Sequence, residues 1–262
     1  MPRATKQQSK INKIFRFFSP KSLKGGMALF ALIFAVTGGG YLLYRSFAAT
    51  GSWHTCSVKT SDQTLWCWGA NNYGQLGVGN TNASYVPVKV SISNVQAVTL
   101  GAFHTCASKT DGTLWCWGKN ANGQLGIASL ANAYSPVKTS MSSVSEIAAG
   151  GDHTCASKTD GTLWCWGKNA NGQLGIGTNY DASYPRQLYF GSTKSITAGA
   201  LHTCASKTDG TLWCWGANTD GQLGIGNTLD QWAPKQLYFG NTKSIAAGAY
   251  HTCASKSDGT LW

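Results

Sequence analysis

Residues 104–118 read His-Thr-Cys-Ala-Ser-Lys-Thr-Asp-Gly-Thr-Leu-Trp-Cys-Trp-Gly, and close copies of this phrase occur five times in the chain. The fifth copy stops at Trp262. The copies are 50 and then 49 residues apart, and they open at His54, His104, His153, His202 and His251. A fixed period of this size is typical of a repeat architecture. Because one repeat cannot bury its own apolar faces, neighbouring repeats must stack on one another.

Each repeat holds four short runs that read as strands, separated by turns rich in Gly and Asn. In the second repeat they predict strands at 95–100, 104–109, 113–118 and 136–140. Four strands per repeat is the size of a β-propeller blade, and the periodicity of helical repeats is absent. Proline recurs at the edge of one run in each repeat, where its missing N–H does least harm: Pro87, Pro136, Pro185 and Pro234. The predicted fold class is all-β, a β-propeller of four-stranded blades.

Eight of the nine cysteines form one pair in each complete repeat: Cys56 with Cys67, Cys106 with Cys116, Cys155 with Cys165, and Cys204 with Cys214. A three-residue turn with Gly112 in the left-handed conformation would pair Lys109 with Thr113. Counting back along the two strands places Cys106 opposite Cys116, a separation that disulfide geometry accepts.

The first repeat has one more residue between its cysteines and lacks the turn glycine. If its loop grows to residues 60–63, Cys56 still faces Cys67. A zinc site is the alternative, because His104, Cys106 and Cys116 would share a strand face. Three ligands per repeat do not complete a structural zinc site, so we predict four disulfides and no metal.

The formal net charge of +11 is located mainly before the repeats. Eight basic residues and no acidic one precede residue 51, so the repeats hold 13 basic residues against all 10 acidic ones. Nucleic-acid binding needs a basic patch on the folded surface, and we therefore predict no nucleic-acid partner.

Residues 27–44 carry no charge and approach the length of about 20 apolar residues that a membrane-spanning helix needs. Because positive charge stays on the cytoplasmic side, the repeats are predicted to lie outside the cytoplasm. An uncleaved anchor and a signal sequence cleaved near Ala49 both remain open, so the protein is membrane-anchored or secreted. The predicted organisation is a basic cytoplasmic tail at 1–26, the apolar segment, a linker at 45–50 and the propeller repeats at 51–262.

The tryptophans of the phrase are predicted to form the core between blades, because both faces of a propeller blade are covered by neighbours. They are Trp66 and Trp68 with their counterparts through Trp213 and Trp215.

No catalytic constellation is visible. The five histidines share one repeat position, which indicates a shared structural role through a ring-nitrogen hydrogen bond. Glu146 is the sole glutamate, and the repeated aspartates lie in turns that favour them: Asp111, Asp160, Asp209 and Asp258. Phosphate-binding, zinc-protease and serine-nucleophile motifs are absent. We predict neither enzymatic activity nor a cofactor.

Positions that vary within the repeat indicate where a partner would bind. One lies directly before each histidine and holds Trp53, Phe103, Asp152, Leu201 and Tyr250. A second variable stretch follows each Gly-Gln-Leu-Gly and holds Tyr85, Tyr134, Tyr180, Asp181, Tyr184, Asp230 and Trp232. Tyr and Trp are enriched in interface hot spots, although neutral variation at exposed positions remains the alternative.

Residues 101–118, followed by Asn-Gly-Gln-Leu-Gly at 122–126, resemble the repeat of the regulator-of-chromosome-condensation family. They are also similar to bacterial proteins described as alpha-tubulin-suppressor-like. The resemblance covers almost all of 51–262 and implies a seven-bladed propeller, with cysteine pairs like those of exported bacterial members. On that basis we expect the reading frame to continue beyond Trp262, with the partner of Cys253 as the next residue.

The family includes a nuclear guanine-nucleotide exchange factor, ubiquitin-ligase-associated propellers and a secreted β-lactamase inhibitor, so fold alone does not choose a function. The interpretation favoured by the sequence is a protein–protein interaction module, with an unknown protein partner on the outer side of the membrane. The alternatives are an inhibitor of an extracellular enzyme and, if the repeats lie inside the cell, an exchange factor.

Overall fold

The computed structural model describes residues 30–37 and 40–262, with side chains from Ala49 onward. Antiparallel strands and tight turns make up this part of the chain, in which no helix occurs. The strands are β1 (Phe30–Thr37), β2 (Gly40–Thr50), β3 (His54–Lys59), β4 (Thr64–Gly69), β5 (Ser84–Lys89), β6 (Val95–Leu100), β7 (His104–Lys109), β8 (Leu114–Gly118), β9 (Ala133–Lys138), β10 (Val144–Ala149), β11 (His153–Lys158), β12 (Leu163–Gly167), β13 (Ala182–Leu188), β14 (Thr193–Ala198), β15 (His202–Lys207), β16 (Leu212–Gly216), β17 (Gln231–Leu237), β18 (Thr242–Ala247) and β19 (Thr252–Lys256).

The strands form consecutive sheets, one for each sequence repeat. Three of them have four strands in chain order, β6–β9, β10–β13 and β14–β17. The first sheet contains β1–β5, and β18 pairs with β19 in the last. The leading strands β2, β6, β10, β14 and β18 lie next to one another, so each sheet is a blade whose innermost strand faces those of its neighbours. The predicted all-β array of four-stranded units is confirmed.

The second repeat shows how closely the strands follow the prediction. Its first two strands have the predicted bounds, and the third begins one residue later, at Leu114. The fourth begins three residues earlier than expected, because Gly118 pairs with Ala133 after a bulge. Pro136 therefore lies within a strand. That strand is outermost in its blade, and no described strand pairs with its outer edge, so the missing N–H of proline breaks no hydrogen bond between strands.

The cysteine register agrees with the prediction, and all four predicted disulfides are present. In each of them the two cysteines lie directly opposite one another on the second and third strands of a blade, with 4.1 Å between their Cα atoms. The bonds join Cys56 to Cys67, Cys106 to Cys116, Cys155 to Cys165, and Cys204 to Cys214.

The hairpin turn sets this register. Gly112 has the expected left-handed conformation, with φ of 76°. In the first repeat Gln63 takes the glycine's place at φ 54°, and Cys56 still pairs with Cys67. The extra residue is thus absorbed in the turn.

Hydrogen bonds from buried side chains join each blade to the next. The Thr105 hydroxyl donates to the backbone carbonyl of Gln75 in the preceding repeat at 2.8 Å, and Trp117 Nε1 donates to the same backbone carbonyl at 3.0 Å. Because the threonine proton is used in this way, His54 Nε2 is the donor in its 2.8 Å bond to the Thr105 hydroxyl. We call this His–Thr–Gln–Trp set the inter-blade joint. It recurs at Thr154 and Thr203.

The tryptophan prediction is correct for three of the eight rings, and Trp68 in the first blade is only half-buried. Trp117, Trp166 and Trp215 are completely buried between blades. Trp115 and its counterparts are half-buried, because they lie two residues closer to the hairpin turn. There Trp115 Nε1 donates to the Thr113 hydroxyl, and the Lys109 ammonium lies over the ring, so that these tryptophans stiffen their own hairpin.

The predicted basic tail at 1–26 lies outside the described residues. Of the predicted membrane segment at 27–44, residues 30–37 and 40–44 belong to β1 and β2. The structure also places residues 45–50, predicted as a linker, in β2, because the first blade needs an innermost strand to pair with β3. Among the described residues, no helix combines the length and apolarity required for membrane crossing. The anchor stays a prediction.

Candidate partner-binding face

Every blade runs between two ends of the array. At one end lie the turns before the repeated histidines and the Asn-rich loops after each Trp-Gly, and we call this end the loop face. The hairpin turns and the connections between blades occupy the opposite end, which we call the hairpin face. Backbone hydrogen bonds hold each end together, for example Ala102 N to Gly151 O on the loop face and Val95 N to Gln63 O on the hairpin face.

The variable residues before the histidines lie in a row on the loop face. Successive turns are hydrogen-bonded to one another, Ala102 N to Gly151 O at 3.1 Å and Gly151 N to Ala200 O at 3.1 Å. This ladder places Phe103 next to Asp152. It also leaves the first and last rings of the row, Trp53 and Tyr250, 61% and 59% exposed.

Three aromatic rings from two repeats meet on this face. Trp53 and Phe103 stack with their ring centroids 6.2 Å apart and their planes within 8° of parallel. Tyr73, from the loop after β4, tilts against Phe103 at 5.1 Å between centroids. The contact produces one continuous apolar surface with an exposed outer ring.

A charged pair borders these rings. The Lys119 ammonium lies 3.1 Å from Asp152 Oδ1 and 5.7 Å from the centre of the Phe103 ring. Gln124 Nε2 also donates to Asp152 Oδ1, at 2.9 Å, which fixes the carboxylate. Trp53, Tyr73, Phe103, Lys119 and Asp152 together form what we call the loop-face patch.

Two members of this patch, Tyr73 and Lys119, were not predicted from the sequence. Both occupy positions that vary between repeats, since Asn122 stands at the equivalent of Tyr73 and Ala70 at the equivalent of Lys119. Comparison of the repeats would have found them if it had been extended to the Asn-rich loop.

The second predicted set, Tyr85, Tyr134, Tyr184 and Trp232, lies on the outermost strands, apart from the patch. All four rings are exposed. A side chain at Gly74 would collide with Tyr134, and one at Gly172 with Trp232, so these two rings also cover the loop of the preceding repeat.

Two aspartates of the second variable stretch have structural contacts. Asp181 accepts a hydrogen bond from the backbone N–H of Asn169 at 2.7 Å, and Asp230 accepts one from Asn218 at 2.8 Å. They close their own loops. Tyr180, which varies in the same stretch, is exposed.

The buried asparagine of each loop was not predicted. Asn71 donates to the carbonyls of Asn80 and Asn82 and accepts from Leu76 N, so a single side chain holds the loop closed. Asn120, Asn169 and Asn218 do the same in later repeats.

Four of the five histidines have a structural role through a ring-nitrogen hydrogen bond, as expected, since His54, His104, His153 and His202 each bond through Nε2 to a threonine of the next repeat. Burial, reinforced by the charge of His104, lowers the pKa of His54 from 6.5 to about 3. Burial likewise lowers the pKa of His104 to about 4. The His54 and His104 rings are therefore neutral at physiological pH and donate through Nε2.

The turn aspartates also act locally. Asp111 Oδ1 accepts hydrogen bonds from the Thr113 hydroxyl and backbone N–H, which lower the pKa of its carboxyl group. Across the part of the chain that the structure describes, no group of three His, Cys, Asp or Glu side chains is arranged to hold a metal ion.

Solved structures with the same fold are only distantly related in sequence. Prp20p from Saccharomyces cerevisiae, described with its binding to Gsp1p and histones, is 21% identical with a TM-score of 0.73 over 82% of this chain. Human WBSCR16 is 23% identical with a TM-score of 0.74 over 84%. The chain spans 57% and 61% of these two proteins. The ectodomain of the receptor kinase CR4 from Physcomitrella patens is 20% identical with a TM-score of 0.52 over 81% of this chain and 50% of its own.

Sequence models of the repeat match the chain throughout the blades. The regulator of chromosome condensation (RCC1) repeat matches four times, at residues 62–108, 111–157, 160–206 and 209–255. A second RCC1 repeat model matches at 45–75, 95–124, 144–173 and 194–222. With blades, register and repeat motif in agreement, the chain belongs to the regulator of chromosome condensation (RCC1) repeat family.

Proposed function

We propose that this chain is an exported or membrane-anchored β-propeller that binds another protein through its loop face and catalyses no reaction. The observation that carries the proposal is the loop-face patch, in which variable positions of three successive repeats meet as stacked aromatic rings beside a fixed ion pair.

The patch differs from the rest of the repeat in having no evident structural purpose. Repeated positions such as His104, Asn120 and Trp117 are buried and hydrogen-bonded within or between blades. Trp53, in contrast, is 61% exposed at a position where the other repeats tolerate Asp152 or Leu201. Aromatic side chains presented on a rigid scaffold are common anchors of protein interfaces.

The disulfides support a location outside the cytoplasm. Each complete repeat contains one, and such bonds persist in oxidising compartments. The acid-free basic segment before residue 27 favours the same orientation. The ectodomain of the receptor kinase CR4 has a similar fold, and Prp20p is described with protein partners.

The Phe103→Asp variant should lose partner binding without losing the fold. Gln124 Nε2 bonds to Asp152, whereas its counterpart, Gln75 Nε2, is buried without a hydrogen-bond partner among the described residues, because Phe103 occupies the aspartate's position. An aspartate at 103 would remove the aromatic stack and give Gln75 an acceptor. We therefore expect a folded protein that has lost its partner.

The test is photo-crosslinking in intact cells. The full chain would carry a photoreactive phenylalanine analogue at Trp53 on the loop face or, as a control, at Tyr189 on the hairpin face. We expect a protein adduct from position 53 that disappears in the Phe103→Asp background. Equal protein adducts from both positions, or none from position 53, would contradict the proposal. Identification of the adduct by mass spectrometry separates a surface structure from a hydrolase, which would indicate the inhibitor alternative.

A further inference from the structure

The apolar N-terminal segment joins the blades at the hairpin face. β2 pairs with β3 so that Ser46 lies opposite Lys59, at the hairpin end, and Thr50 lies opposite Thr55 near the loop face. The residues of β2 before Ser46 continue past the end of β3, where they pair with β1. Residues 40–44, the end of the stretch that the sequence marks as a membrane segment, thus lie beyond this side of the array, directly before the first blade pair.

The two faces differ in the sign of their charge. On the loop face, two basic side chains, Lys119 and Lys168, stand against four acidic ones, Asp152, Asp181, Asp220 and Asp230. Nine basic side chains lie at or near the hairpin face, Lys59, Lys89, Lys109, Lys138, Lys158, Lys194, Lys207, Lys243 and Lys256. They stand against six acidic ones, Asp62, Asp111, Asp160, Asp209, Asp258 and Glu146.

Lys194 and Lys243 are two of the seven lysines at this face that form no ion pair among the described residues. Lys194 and Lys243 begin the innermost strands β14 and β18, are exposed, and form no ion pair with any side chain that the structure describes. Lys59 and Lys109, in contrast, pair with the aspartates of their own turns. The fourth and fifth blades thus each carry two lysines and one aspartate at this face, a net excess of one positive charge per blade.

Tyrosine rings extend from the same part of the face. Tyr189 and Tyr238 directly follow the outermost strands of the third and fourth blades, with relative exposures of 108% and 112%. The next residue anchors each segment. Phe190 packs edge-on against Trp213, with 5.8 Å between ring centroids, and Phe239 packs in the same way against Trp262 at 6.1 Å. The Lys207 ammonium lies 4.6 Å from the centre of the Phe190 ring and the Lys256 ammonium 4.8 Å from that of Phe239, so each exposed tyrosine adjoins an anchored phenylalanine with a lysine over it.

We propose that the hairpin face lies on an anionic phospholipid surface, with Lys194 and Lys243 at the headgroups and Tyr189 and Tyr238 in the interfacial layer. Tyrosine and lysine are the side chains that favour this layer, and basic residues near anionic lipid contribute on the order of 1 kcal/mol each. The inference rests on the membrane attachment proposed above. It orients the array, because the loop-face patch then points away from the lipid.

The experiment reconstitutes the full chain into vesicles and asks which face contacts lipid. A fluorescent thiol probe is placed at Ser142→Cys on the hairpin face or at Thr219→Cys on the loop face, in a Cys253→Ser background that removes the free thiol. Nitroxide-labelled headgroups quench probes that touch the surface. In vesicles containing phosphatidylglycerol we expect quenching at 142 and none at 219, and weaker quenching at 142 in vesicles of phosphatidylcholine alone.

Charge-neutral variants provide the matched comparison. Lys194→Gln with Lys243→Gln should lower the ratio of lipid-contacting to free orientation by about 25-fold, since each lysine is worth a factor of about five. Lys168→Gln with Lys235→Gln removes the same charge away from the hairpin face and should leave the quenching unchanged. Equal quenching at 142 and 219, no quenching at 142, or an equal response to both double variants would overturn the proposal. If a soluble anionic polymer abolishes the quenching at a concentration below that of the lipid phosphate, the hairpin face binds that polymer in preference to lipid. This result would likewise overturn the proposal. None of these readouts involves the protein partner, so they do not test the proposal that the loop face binds a protein.

Discussion

Replacement of Thr154 by valine tests the inter-blade joint. The hydroxyl of this completely buried residue donates to the Gln124 carbonyl at 2.8 Å and accepts from His104 Nε2 at 2.9 Å. Valine preserves the shape but removes both bonds. Loss of the bond to the carbonyl should cost about 0.5–1.5 kcal/mol, because Trp166 Nε1 still donates to that oxygen.

The larger cost comes from the histidine. His104 is 0% exposed, and its Nε2–H would have no acceptor and no access to water. An unsatisfied buried donor costs about 1–3 kcal/mol, so Thr154→Val should lower the free energy of unfolding by about 2–4 kcal/mol in total. Urea denaturation of the oxidised protein, followed by tryptophan fluorescence, measures this difference.

Two variants serve as controls for Thr154→Val. Thr154→Ser keeps the hydroxyl and loses only a methyl group, for an expected loss of about 1 kcal/mol. Thr252→Val removes the same hydroxyl from a half-buried joint, where water can replace it, and should cost about 1 kcal/mol or less. If Thr154→Val proves no worse than Thr252→Val, the hydrogen bonds of the joint do not hold the blades together.

Three further predictions concern acid, disulfides and sidedness. Burial lowers the pKa of His104 to about 4 and of His153 to about 3, so the folded state binds fewer protons than the unfolded state between these values and 6.5. Stability should therefore be complete above pH 6.5 and fall as the pH drops, by up to about 1.4 kcal/mol per pH unit for each histidine, and a His153→Gln variant should show a shallower slope in urea titrations. Replacement of both Cys106 and Cys116 by serine should cost about 2–3 kcal/mol, while non-reducing mass spectrometry of the parent protein should recover the intra-repeat pairs and no links between repeats. A protease added to intact cells should digest the blades, and resistance until lysis would place them inside.

Features that depend on neighbouring strands within one repeat were predictable from the sequence. The turn at Asp111 and Gly112 fixes the pairing of β7 with β8, and the cysteine register follows by counting. The first repeat obeys the same logic because its extra residue falls in the turn. Local geometry is sufficient for such features.

Features that depend on how one blade meets the next were not predictable. The partner of His104 is Thr154, 50 residues away, and no local pattern shows the offset at which the blades stack. The approach of Tyr73 to Phe103 and Lys119 likewise requires two repeats to be placed together. The partial exposure of Trp115 was not predicted, because strand alternation places its side chain on the same face as that of Trp117. Its burial depends instead on its distance from the hairpin turn, which is two residues shorter than that of Trp117.

The inter-blade joint also bears on how such a chain can change in length. Its three hydrogen bonds connect residues at almost constant separations, 50 or 51 from histidine to threonine, 30 from threonine to glutamine and 42 from tryptophan to glutamine. Every blade therefore offers the following one the same acceptor and receives the same donors. An in-frame tandem duplication or loss of one such unit in the gene would leave each new junction with a complete set of partners, and would need no compensating substitution.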